Sequence, residues 1–120
     1  ELLISKLEFD LFVVIGHPYL LRKPLLSIAG GIGFHPSLLP IRRGRAPLNW
    51  AIIDGMTESG VTLFKLVEGA DEGLIYFQEK FSITKTDTAL DLIDKINIIL
   101  TNNLHKIISQ WPNQKGTCTE

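Results

Sequence analysis

Short unbroken apolar runs alternate along this chain with stretches whose apolar residues recur every three or four positions, the rhythm of strands interleaved with helices. Leu3 and Leu7 stand four apart, on one face of what reads as the tail of a helix. Residues 11–16, Leu-Phe-Val-Val-Ile-Gly, run between Asp10 and Gly16 like a strand buried on both faces of a parallel sheet. A turn over 17–24 leads to a short helix, with Pro24 in its first turn and Leu25, Leu26 and Ile28 packed inward. Residues 31–35 read as a second strand and 46–54 as a helix with Leu48, Ala51 and Ile52 on one side. A β-branched third strand over 60–67 passes through the tight acidic loop 68–73 into a fourth, 74–83, whose second half alternates like an edge strand. The last element is the longest. Leu90, Ile93, Ile96, Ile99, Leu100, Leu104, Ile107 and Ile108 keep helical spacing from the start signal at 84–88 towards Trp111, and Pro112 ends it.

Strands separated by helices predict an α/β domain with a mostly parallel sheet and flanking helices. The order opens on half a crossover and ends without a closing strand, so the reading is a partial domain over residues 1–112 and a polar tail over 113–120.

Composition narrows the class. Hydrophobic residues make up 45% and charged residues 21%, a globular balance. A formal net charge of -1 gives no global field for nucleic acid or membrane, so any basic surface is local, and Arg42, Arg43 and Arg45 are its one dense cluster. The single cysteine, Cys118, forbids an internal disulfide, and no apolar run approaches the roughly 18 residues of a membrane helix. A soluble, cytoplasmic protein is expected. No histidine or cysteine spacing suits a metal, and neither GxGxxG nor GxxxxGK[ST] occurs.

The chemistry concentrates in residues 33–47, which carry a histidine, a serine, three arginines and three prolines. Proline fixes φ and has no N–H, so this stretch predicts a rigid loop at a strand's carboxyl end, where ligands of open α/β sheets bind. The loops over 16–23 and 68–73 should meet it there, bringing His35 towards Asp71 and His17. A carboxylate beside an imidazole fixes its tautomer and supports proton transfer near neutral pH. The plainer alternative is a structural loop whose histidine satisfies backbone carbonyls. Ser37 lacks a nucleophile elbow, and the arginines suit either a phosphate or a solvated surface.

His35-Pro36-Ser37-Leu38-Leu39-Pro40, then Arg43-Gly44, Ala46-Pro47, Trp50-Ala51-Ile52, Gly60-Val61-Thr62 and Ala70-Asp71-Glu72-Gly73, closely resemble the formyltransferase family. The resemblance spans about Phe9 to Trp111 and implies the second half of a Rossmann-like catalytic domain, its N-terminal half missing from this chain. It implies transfer of a formyl group from 10-formyltetrahydrofolate to an amine. His35 would stabilise the tetrahedral oxyanion as an imidazolium, and Asp71 would hold it charged and help remove the amine proton. Tyr19, Leu20 and Leu21, with Glu68, Ala70 and Gly73, would wall the folate pocket. Ser37 and Arg43 would serve a phosphate-bearing acceptor, methionyl-tRNA or an amino sugar on a nucleotide.

One residue departs from the family pattern. The family has asparagine two residues before the catalytic histidine, and this chain has Gly33. Losing one oxyanion donor costs roughly 10²–10³ in rate. Two readings therefore stand side by side, a working formyltransferase and a weakened formyltransferase-like domain that binds folate or a nucleotide without turnover.

Overall fold

The computed structural model describes residues 6, 8, 10–17, 19–69 and 72–111. Of the helix read over residues 2–7, only Lys6 is described, so that reading, like the polar tail, lies outside the described residues. Four strands, β1 (Leu11–Val14), β2 (Gly30–His35), β3 (Glu58–Lys65) and β4 (Ile75–Ser82), form one sheet in the order β1-β2-β3-β4. Helices α1 (Lys23–Leu26) and α2 (Pro47–Ile53) lie between strands, and α3 (Ala89–Ser109) follows them.

The sheet is mixed. β1 pairs with β2 in parallel, as the apolar run suggested, whereas β2–β3 and β3–β4 are antiparallel. The expectation of a mostly parallel sheet is corrected there, and the seat of α2 accompanies the change. The chain between β2 and β3 does not recross the sheet: α2 packs at one end of the core, with Ala51 against Ile83 and Leu92. β3 therefore starts at the end of the sheet where β2 stops. A second correction concerns β1, which is half-buried, with Val13 39% exposed, because among the described strands it has a neighbour on one side only.

Alternation divides the sheet into two faces. One carries Ile32, Val61 and Leu63, and α3 covers it with Ile96, Ile99 and Ile107. Ala51 of α2, Ile83 and Leu92 close the core at one end. The buried stripe of α3 is Leu92, Ile96, Ile99 and Ile107; Leu92 joins it, while three residues of the sequence-based stripe are exposed, Leu90 (73%), Ile93 (41%) and Ile108 (40%). Apolar residues surround this helix, and the docking angle, which periodicity does not report, selects among them.

Its start is well specified. The Thr88 hydroxyl accepts the Asp91 N–H while the Asp91 carboxylate accepts the Thr88 N–H, a capping box. Hydrogen bonds from Thr88 hold the Asp91 carboxyl below its ordinary value, and those from Lys95, then Thr84, do the same for Asp87. At the other end the Trp111 ring lies against Gly30, where any Cβ would collide with it, and meets Tyr76 edge-on at 6.2 Å. Burial raises the Tyr76 phenol above its usual value.

Candidate functional site

The opposite face of the sheet is low where β2 places Gly31 and Gly33, and it ends at His35. Across the ladder, Thr62 stands opposite His35 and Gln78 opposite Thr62, so the three form one row. The proline-rich loop folds down onto this row. The Thr62 hydroxyl donates to the Ser37 carbonyl at 2.6 Å and accepts from the Leu39 N–H at 3.2 Å and the Gln78 amide at 2.9 Å. Gln78 also donates to the Leu39 carbonyl at 3.0 Å. Here lies the rigidity inferred from the prolines. The sheet itself clamps the loop through two polar side chains: Thr62, noted in the sequence only as part of a motif, and Gln78, to which sequence reasoning assigned no role.

The loop's backbone is unusual beyond the clamp. The Leu39–Pro40 bond is cis, and Arg42 (φ 60°), Gly44 (φ 94°) and Ala46 (φ 51°) take left-handed conformations. Their alternation turns the chain sharply into α2, at whose first position Pro47 needs no N–H partner.

His35 is buried, at 5% exposure, and its Nε2 lies 2.7 Å from the Arg42 carbonyl oxygen. A carbonyl only accepts, so Nε2 carries hydrogen. Nδ1 is then an acceptor in the neutral ring and becomes a donor only when the ring is charged. The plainer reading of this histidine is thus partly right. One nitrogen serves the loop, and doing so fixes the tautomer available for chemistry.

A cleft of about 560 Å³ opens over this face. Val14, His17, Tyr19, Leu20 and Leu21 form one wall, Gly33, His35, Phe64 and Leu66 the floor, and Pro36, Arg45 and Pro47 the far side, with Gly69 at the rim. The Tyr19 ring meets His17 edge-on at 5.9 Å. Three loops therefore converge where the strand ends predicted.

The individual site residues fall into distinct settings. His35, Tyr19, Leu20 and Leu21 all line the cleft. Asp71 and Ala70 lie outside the described residues. The Glu68 carboxylate accepts the Lys23 N–H at 3.2 Å, linking the β3–β4 loop to the start of α1. Gly73 is buried under the Lys65 carbonyl, with no room for a Cβ. The Ser37 hydroxyl is 2% exposed and donates to the Ile41 carbonyl at 2.7 Å. Arg42 pairs with Asp54, and Arg43 is exposed outside the cleft lining, leaving Arg45 as the arginine that lines it. Arg45 was visible in the sequence only as a member of the cluster; it stands between the left-handed Gly44 and Ala46. Among the described residues no group of acidic, histidine or cysteine side chains is arranged to hold a metal.

Comparison with known proteins agrees with this architecture. The formyl transferase family matches residues 2–108. The phosphoribosylglycinamide formyltransferase of Bacillus halodurans superposes with a TM-score of 0.72 at 33% identity, over 84% of this chain and 55% of that one. A sugar N-formyltransferase from a Shewanella species gives 0.77 at 24% identity, over 97% and 47%. HypX of Aquifex aeolicus in complex with tetrahydrofolic acid gives 0.77 at 22% identity, over 92% and 20%. The chain spans about half the length of the first two proteins. With the family matched over most of its length, and a Rossmann-like sheet that ends in a clamped histidine loop, the chain belongs to the formyl transferase family.

Proposed function

We propose that this chain carries the folate-binding and proton-handling side of an N-formyltransferase, moving a formyl group from 10-formyltetrahydrofolate to the amine of a phosphate-bearing acceptor. The observation that supports it best is the fixed tautomer of His35 on the floor of a largely apolar cleft. HypX, a relative in fold, is a tetrahydrofolic acid complex, which favours a folate as the donor's carrier.

In this reaction the acceptor nitrogen attacks the formyl carbon and the carbonyl oxygen becomes an oxyanion. Charged His35 stabilises that oxygen, while its Nε2 stays on the Arg42 carbonyl. Asp71 takes the proton from the attacking nitrogen. Collapse of the intermediate breaks the bond from carbon to N10 of the folate, and a proton returns to N10. Tyr19, Leu20 and Leu21, with Glu68, Ala70 and Gly73 in the facing loop, shape the folate side. Arg45 serves the acceptor's phosphate side, with Arg43 on the exposed loop beyond it and Ser37 acting by holding the loop through its bond to the Ile41 carbonyl. An amino sugar on a nucleotide suits the net charge of -1 better than methionyl-tRNA does. The setting is cytoplasmic, and residues 1–112 act as one portion of a catalytic domain followed by a polar tail.

The second reading, a domain that binds without turnover, draws on Gly33, which supplies no side-chain donor beside His35. Calorimetric titration of 10-formyl-5,8-dideazafolate into the wild type and Asp71→Ala, followed by formyl release with amino-sugar nucleotides, separates the two. Saturable binding weakened in Asp71→Ala, with release that His35→Asn reduces at least roughly 10²-fold, supports the enzyme. Binding without release supports the second reading. No binding by the folded wild type refutes both.

A further inference from the structure

Gly33 does not owe its identity to backbone conformation, since its φ lies outside the left-handed region. Space decides it. A Cβ built there would stand 2.7 Å from Phe64 Cζ and 2.7 Å from Leu66 Cδ2, inside van der Waals contact with both. Phe64 is the residue directly opposite Gly33 in the β2–β3 register, so its ring lies across the gap that a missing side chain leaves. Leu66 reaches the same gap from the end of β3, where its N–H donates to the Gly31 carbonyl at 2.9 Å.

A second feature lies beside the ring. The β3–β4 register slips by one residue between Leu63 and Phe64, leaving Tyr76 as an extra residue on β4. Such a bulge increases local twist and re-aims the side chains beside it. Leu63 stays in the core on the α3 face, while Phe64, 4% exposed, forms part of the cleft floor beside His35.

We propose that Phe64, packed over Gly33 and backed by Leu66, is the specificity-determining side chain of this cleft, setting how deeply the formyl donor sits relative to His35. The floor next to the histidine is apolar and aromatic, and it is built that way from two strands at once. Introducing a polar side chain at residue 33 alone does not install a donor there, because the ring already occupies the space. Glycine at 33 and phenylalanine at 64 are a matched pair.

This inference rests on the folate reading, and a mutant cycle tests it. Gly33→Ala, Phe64→Leu and the double variant are made in the full chain, and Tm and the Kd for 10-formyl-5,8-dideazafolate are measured for each. Gly33→Ala should lower Tm by roughly 5 °C and weaken the analogue roughly tenfold, because the ring is pushed into the ligand's volume. Phe64→Leu in the same background should restore most of both losses. A merely structural contact would restore Tm alone and leave Kd, measured well below the melt, unchanged throughout. Additive effects on Kd, or wild-type affinity in Gly33→Ala, overturn the proposal while the folate reading stands. No binding by the folded wild type overturns the folate reading and the proposal with it.

Discussion

Thr62 is the residue on which the site's rigidity rests, and replacing it with valine isolates that role. The side chain is fully buried and joins three partners, the Ser37 carbonyl, the Leu39 N–H and the Gln78 amide. Valine has nearly the same shape, so no cavity forms, but the hydroxyl is lost. Gln78 keeps its bond to the Leu39 carbonyl and has access to water. The Ser37 carbonyl and Leu39 N–H lose a buried partner, at about 1–3 kcal/mol each. Burying one more methyl returns about 0.8 kcal/mol. The net loss is about 3 kcal/mol, a large share of the 5–15 kcal/mol of an ordinary domain. In urea unfolding followed by circular dichroism, with m near 1.5 kcal/mol/M, the midpoint should fall by about 2 M at unchanged m. Thr62→Ser keeps the hydroxyl and loses a methyl, so it should cost only about 1 kcal/mol. If valine proved as stable as serine, the network would not be what holds the loop, and the rigidity assigned to it would be refuted.

Other substitutions probe separate parts of the same frame. Ala46 is exposed and holds a left-handed conformation at the α2 cap, so Ala46→Gly should stabilise by about 0.5–1 kcal/mol in the same urea experiment. Gly73→Ala should do the reverse, because the Lys65 carbonyl fills the space; a melting temperature equal to wild type would contradict the packing of that loop. Thr88→Ala removes the hydroxyl half of the capping box and should cost about 1 kcal/mol, read as a midpoint shift. Asp87 and Asp91 both have folded values held below the ordinary 3.8, so their contribution is complete above about that pH and is lost as pH falls through the lower folded values. Asp87→Asn should accordingly flatten the acid limb of a stability–pH curve below pH 3.8, and an unchanged limb would count against the Lys95–Asp87 contact.

Much of this architecture is legible in the residues, and what is not follows one rule. Local signals were readable: the start signal over 84–88 ahead of α3, the glycine-bounded β3, and the proline-rich loop that carries His35. Features set by how distant elements meet were not. The buried face of α3 depends on its docking angle, so Leu92 was missed in favour of Leu90. The direction of β3 goes with where α2 docks, which periodicity does not report. Within the site, Thr62 and Gln78 act through a cross-strand register 16 residues apart, and Phe64 meets Gly33 the same way across the β2–β3 ladder. Arg45, between the left-handed Gly44 and Ala46, is the arginine that lines the cleft, and three neighbouring guanidinium groups look alike in sequence.

The seat of Trp111 on Gly30 determines what light can report about this molecule. Gly30 begins β2 and His35 ends it, so the indole lies roughly 17 Å along the strand from the imidazole. The other tryptophan, Trp50, is half exposed on α2 and emits much as it would from an unfolded chain. Intrinsic fluorescence therefore follows the undocking of α3 from the sheet and is nearly silent about what enters the cleft. A ligand titration needs a chromophore of its own, and Tyr19, 75% exposed on the cleft wall, is the natural residue to exchange for an environment-sensitive dye.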